Sequence, residues 1–235
     1  MRLDKFLSVT GSATRSESAK AARAGRITVN GVAVKNTSFS VDPEKDVICL
    51  DGITVIYRKY TYIMLNKPEG YVSATEDGRD PTVLELLPEQ LQKLSLFPCG
   101  RLDKNTLGLM LLTDNGELAH RMLSPKRHVE KRYRFECRYP VSAEDHREIE
   151  EGIRLADGYM TKPAQLELDE GRTSGVITVH EGKYHQIKRM FGAVNDNRII
   201  YLERISFGPL ALDKSLSRGE WRYLYDDEVA DIEAL

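Results

Sequence analysis

Apolar residues recur along this chain with two spacings, and the switches between them mark its elements. Leu3, Phe6 and Leu7 share one helical face, with Arg2 and Lys5 on the other. Gly11-Ser12 breaks that run. Thr14-Arg15-Ser16-Glu17 then has the form of a capping box, in which a hydroxyl and a carboxylate each satisfy the other's backbone amide. The helix it starts runs to Ala24 and stops at Gly25, a residue suited to helix ends. Lys20 and Arg23 lie three apart and share a face. Alternation follows: Ile27-Thr28-Val29 and Val32-Ala33-Val34 flank Asn30-Gly31, the strongest short hairpin signal. Residues 47–50 and 53–57 make a second hairpin around Asp51-Gly52. Two helices and two hairpins predict a first domain over 1–58, near the lower size limit for a free-standing unit.

The remainder, 59–235, mixes strands and helices. Residues 62–65 read as a buried strand, ended by the turn Asn66-Lys67-Pro68-Glu69-Gly70. Residues 83–87 suggest a short amphipathic helix. Residues 107–112 are nearly all apolar, enough for one buried strand. A helix is predicted at 116–123, with Leu118 and Met122 toward the core. Residues 129–138 alternate imperfectly, with Tyr133 and Phe135 on one face. Residues 143–153 read as helix, and 164–168 and 175–180 as strands. In a helix over 184–193, Tyr184, Ile187 and Phe191, with Val194 beyond, form the apolar face; His185, Lys188 and Arg189 take the polar side. Strands at 199–205 and 221–224 close the chain. This order predicts an α+β domain with a largely antiparallel or mixed sheet.

Composition narrows the picture. The chain has 235 residues, 41% hydrophobic and 30% charged, a balance that argues against disorder. No apolar run approaches the ~20 residues of a membrane helix. The first residues lack the apolar core of a signal peptide, so the expectation is a cytoplasmic protein without membrane association. Cys49, Cys99 and Cys137 are scattered, which suits a reduced interior and a packing role. The net charge of −2 says little, but its distribution says more. Residues 1–40 carry seven Lys and Arg against Asp4 and Glu17, and residues 124–134 carry five against Glu130. Such asymmetry points to an anionic partner, although either cluster alone is equally a solvated face.

Motifs for several chemistries are missing. The five histidines show no metal-ligand spacing. There is no GxGxxG or GxxxxGK[ST] for a nucleotide, and no G-x-S-x-G for a serine hydrolase. What remains is Asp103, a carboxylate in a polar turn at the mouth of the 107–112 strand, where a rigid element would hold and expose it. An ordinary turn, its carboxylate bonding nearby amides, accounts for Asp103 at least as well on local sequence. Lys188 and Tyr133 likewise read as a solvated helix cation and a core aromatic.

Longer blocks lift these residues together. Arg2-Leu3-Asp4, Arg15-Ser16, Ala19, Lys20, Gly25-Arg26-Ile27, Val29-Asn30-Gly31 and Val34 give residues 1–58 a form that resembles the alpha-L RNA-binding module first seen in a ribosomal protein. The rest resembles the pseudouridine synthases, within them the ribosomal small-subunit synthase A branch. The matching blocks are Met64-Leu65-Asn66-Lys67-Pro68-x-Gly70, Gly100-Arg101-Leu102-Asp103-x-x-Thr106-x-Gly108-Leu109 with Leu112-Thr113-Asp114-x-Gly116, Lys131-x-Tyr133, and Glu181-Gly182-Lys183-x-His185-Gln186-Ile187-Lys188-Arg189-Met190. The tail Leu202-x-Arg204-Ile205, Gly208, Leu212 and Gly219-Glu220-x-Arg222-x-Leu224 also fits.

The resemblance implies that Asp103 is the nucleophile, that Tyr133 stacks on the target base and takes part in the proton step at C5, and that Lys188 pairs with Asp103. Arg101 would shape the site. Lys20, Arg23 and Arg26 would meet phosphates, which give affinity but little sequence information. Arg15, Lys131, Lys183 and Arg189 complete the candidate RNA-binding residues. Turning a uridine into pseudouridine conserves its atoms, so no cofactor or metal is expected. The implied partner is small-subunit ribosomal RNA or its assembly intermediate, met by a monomer. Large-subunit RNA as substrate, or a non-catalytic assembly factor, are the alternatives. Hydrolysis normally needs a second carboxylate to activate water, and none stands out in the sequence.

Overall fold

The computed structural model describes residues 1–194 and 196–235. They form two compact units, one of residues 1–61 with 87–96 and one of residues 62–86 with 97–235. In the first unit, α1 (Leu3–Val9) and α2 (Arg15–Arg23) precede β1 (Ile27–Val29), β2 (Val32–Ala33), β3 (Ile48–Leu50) and β4 (Ile53–Thr54); the short α3 (Glu89–Gln92) also belongs here. Thr14 and Glu17 form the reciprocal capping box at the start of α2. Asn30-Gly31 and Asp51-Gly52 all take positive φ, as tight hairpin turns need. The four strands make an antiparallel sheet in the order β2-β1-β3-β4. Leu3, Phe6 and Leu7 of α1 and Ala21 and Ala22 of α2 bury against Ile27, Val41 and Ile48.

The second unit contains β5 (Tyr62–Lys67), β6 (Phe97–Pro98), β7 (Leu107–Thr113), α4 (Gly116–Leu123), β8 (Lys131–Cys137), α5 (Ala143–Glu151), β9 (Gln165–Leu168), β10 (Ser174–Val179), α6 (Gln186–Ala193), β11 (Ile199–Phe207), β12 (Leu210–Ala211), β13 (Trp221–Tyr223) and α7 (Asp226–Glu233). Residues 83–86 form a single 3₁₀ turn. One mixed sheet runs β13-β5-β7-β11-β8-β10-β9, with β6 on β7 and β12 on β11. Its pairs are antiparallel except β7 with β11. β5 and β7 are buried nearly throughout, as central strands covered on both faces must be. β8 alternates instead: Lys131, Tyr133, Phe135 and Cys137 point inward. The α+β class is thus the observed one.

Two local expectations change. Tyr184 lies before α6 rather than on its core face and is 69% exposed, because His185 takes left-handed backbone (φ 49°) and turns the chain just ahead of the helix. Beyond the strand at 221–224, where no further element is predicted, the acidic end forms α7. Its Glu228 caps Tyr225 N, and Ile232 is buried.

Candidate active site

The turn before β7 is held from beneath. Lys67, at the end of β5, is fully buried and donates from Nζ to the carbonyls of Pro68 (3.0 Å), Asp103 (3.2 Å), Lys104 (3.1 Å) and Thr106 (2.9 Å). Burial pulls its pKa down to about 8. Ser73 Oγ donates to Leu102 O at 2.8 Å and accepts from Leu102 N at 3.0 Å. Gly70 N donates to Lys104 O at 2.9 Å. These bonds fix the backbone of residues 102–106, so the Asp103 side chain projects from a rigid turn.

That carboxylate does not serve its own turn. Lys188, on the first turns of α6, donates from Nζ to Asp103 Oδ2 at 2.7 Å, and His185 Nε2 stands 3.5 Å from Oδ1. The His185 ring stacks on Tyr184 at 3.8 Å between centroids, which holds the imidazole at the rim. Asp103 and Lys188 open onto a cavity of about 450 Å³, within the ~300–1,000 Å³ usual for small-ligand sites. Tyr133, 8% exposed, lines it from β8.

Of the residues singled out from sequence, Asp103, Tyr133, Lys188, Arg101, Lys131 and Lys183 line this one cavity. Arg101 is exposed, and Lys183 sits over the Tyr159 ring at 4.7 Å. Lys131, grouped by sequence with the RNA-binding surface, is buried instead; its Nζ donates to Val129 O at 2.7 Å. Arg189 is engaged with Asp157 at 2.6 Å. In the first unit, Arg15, Lys20, Arg23 and Arg26 are exposed, and Arg26 is held by Asp51 through both carboxylate oxygens.

The cavity also contains residues to which sequence reasoning gave no role. Arg204 on β11 is 1% exposed and donates from Nε to Leu109 O at 2.7 Å. Glu181 corrects the expectation that no second carboxylate stands nearby. It is buried and lines the same cavity, but its oxygens are claimed: Tyr159 Oη donates to Oε2 at 2.7 Å, and Gln186 Nε2 (2.6 Å) and Lys162 N (3.1 Å) donate to Oε1. Lys67, Glu181 and Arg204 all fall inside the matching sequence blocks, which was the available signal. Their roles depend on burial and on contacts distant in sequence.

A family model for RNA pseudouridylate synthase matches residues 61–193, and one for the S4 domain matches residues 1–48. YtzG of Bacillus subtilis (strain 168), named as an uncharacterized RNA pseudouridine synthase, is 44% identical over 97% of each chain. The ribosomal small subunit pseudouridine synthase A of Yersinia pestis is 42% identical over all of this chain and 99% of its own. A crystal structure of a pseudouridylate synthase superposes with a TM-score of 0.70 at 38% identity, over 99% of both chains. With an S4 domain ahead of its catalytic domain, the chain belongs to the RNA pseudouridine synthase family.

Proposed function

We propose that the protein converts a specific uridine of small-subunit ribosomal RNA to pseudouridine, with Asp103 as nucleophile and without a cofactor. The observation that carries this reading is the Asp103–Lys188 ion pair in a cavity that also holds Tyr133. A carboxylate oriented by one cation and opening onto a cavity is suited to attack a sugar or a base. Tyr133 offers a ring on which an extruded uracil can stack, offsetting part of the few kcal/mol that flipping costs. The N1–C1′ bond breaks, uracil turns, and C5 bonds to C1′. C5 loses a proton and N1 gains one, so the product is an isomer. Glu181, the second carboxylate of the cavity, is held by three donors, from Tyr159, Lys162 N and Gln186, which fits a positioning role better than that of a water-activating base. The choice of small-subunit RNA is supported by the name of the full-length Yersinia pestis relative.

The test is tritium release from C5-labelled uridine in small- and large-subunit RNA. Wild type is expected to release tritium from the small-subunit substrate, and Asp103→Asn to release none. Undiminished release by the variant would remove Asp103 as nucleophile. Release from large-subunit RNA alone would change the substrate, and release from neither would favour an assembly factor.

A further inference from the structure

We infer that Lys131 and Arg204 form a buried cationic floor that receives the negative charge of uracil when its bond to the sugar breaks. The inference rests on the reading that this cavity holds the target uridine beside Asp103. Lys131 is 8% exposed and Arg204 1% exposed, yet among the described residues no carboxylate pairs with either. Burying an unpaired charge is costly. Lys131 spends one of its three donors on Val129 O, and Arg204 gives Nε to Leu109 O and a long 4.0 Å contact to Met110 Sδ. Both cations pack over the Phe207 ring, at 5.3 and 4.9 Å from its centroid. Cys99, close to both, is pushed up to about 11 by burial and stays a neutral thiol. The cavity's two buried or half-buried carboxylates already have donors: Asp103 has Lys188, and Glu181 has Tyr159 and Gln186. The anion that Lys131 and Arg204 await therefore comes with the substrate.

Their position selects the base over the phosphate. Lys131 is two residues from Tyr133 on the inward face of β8, and Arg204 pairs directly with Tyr133 across β11. A flipped nucleotide leaves its phosphates with the strand at the mouth and sends its base to the floor. When N1–C1′ breaks, the electron pair stays on N1 and its charge spreads to O2 and O4. With Asp103 bonded to C1′ in place of N1, the anion is discharged when C5 bonds to C1′ and the Asp103–C1′ bond breaks; C5 then loses its proton and N1 takes one up. Fixed cations aimed at a developing charge lower the barrier without reorganisation.

Lys131→Met keeps the stem and removes the charge. Single-turnover bond cleavage should fall about 100-fold on uridine, with RNA affinity nearly unchanged and Lys131→Arg restoring much of the rate. On RNA carrying 5-fluorouridine at the target, a better leaving group, the loss should be several-fold smaller. An equal loss on both substrates overturns the inference. So does a loss of affinity with a salt slope lowered by about one, which marks a phosphate contact. A measurement on wild type covers a variant that does not fold: 5-nitrouracil, an anion at neutral pH, should inhibit more strongly than neutral uracil, and equal or weaker inhibition counts against the floor. Asp103→Asn separates the two readings. If Asp103→Asn abolishes turnover while Lys131→Met cleaves at the wild-type rate, only the floor fails; if Asp103→Asn is fully active, the assignment of the cavity fails.

Discussion

Lys67 spends its whole ammonium group on carbonyls, three of them in the turn that carries Asp103. Lys67→Met would leave those carbonyls without donors in a buried place, at about 1–3 kcal/mol for each group left unsatisfied. The expected outcome is a urea midpoint lowered by roughly 2–4 kcal/mol in stability terms. Turnover should also fall under conditions where the variant is fully folded, because a misplacement of ~1 Å can cost about 100-fold. A variant that loses stability but keeps the wild-type rate would make Lys67 a fold residue only. Asp103, Tyr133 and Lys188 were legible in the sequence because each stands in a block of distinctive spacing. Lys67, Glu181 and Arg204 stand in such blocks too, but their meaning lies in burial and in partners far along the chain, which local pattern does not carry. The burial of Lys131 was hidden for the same reason: a lysine in a basic run reads as solvated, and only the inward face of β8 shows it lining the cavity.

The elements that present the site depend on two close fits. Gly108 has φ +97°, and a Cβ there would lie 2.3 Å from Arg204 O and 2.9 Å from Arg204 N. The glycine is what lets β7 run parallel beside β11 at this point. Gly108→Ala should destabilise by about 3 kcal/mol or more, read as a drop in urea midpoint, and should disturb Arg204 directly. The second fit is a clasp. Arg222 on β13 donates from Nε to Asp213 at 2.6 Å and from Nη1 and Nη2 to Glu228 of α7 at 2.6 and 2.8 Å. Ser215, through its hydroxyl and amide, and Arg222 hold the Asp213 carboxyl down at about 2. A folded-state pKa below the ordinary 3.8 means that the unfolded chain binds the proton first. Stability from Asp213 is therefore complete above pH 4 and lost as pH falls toward 2. Asp213→Asn should melt lower at neutral pH and show a shallower fall in Tm across that window; parallel curves would remove the clasp from the acid response. Periodicity predicted most strands and helices because one-face burial leaves a regular trace. It missed α7, where acidic residues dominate and Ile232 supplies the buried anchor, and it misjudged Tyr184, where one left-handed residue resets the face.

At the scale of the whole chain, the proposed function gives the two units different work. The switch from an Asn-Gly hairpin unit to a long mixed sheet was visible in the sequence. The membership of residues 87–96 in the first unit was not, because it rests on contacts through space. The S4 unit exposes Lys20 and Arg23, while Arg26 is neutralised by Asp51. Lys20 and Arg23 are thus the residues to reverse. Phosphate contacts give affinity through counterion release and carry almost no information about sequence. Lys20→Glu with Arg23→Glu should therefore weaken binding of ribosomal RNA and reduce the slope of log affinity against log salt by about two. In the proposed function the chemistry falls to Asp103, Tyr133 and Lys188, all in the second unit. Single-turnover rate on a short saturating RNA should then stay at the wild-type value. If affinity and slope are unchanged, the first unit does not bind through this face; if the saturated rate falls as well, it takes part in presenting the uridine and not only in holding the RNA.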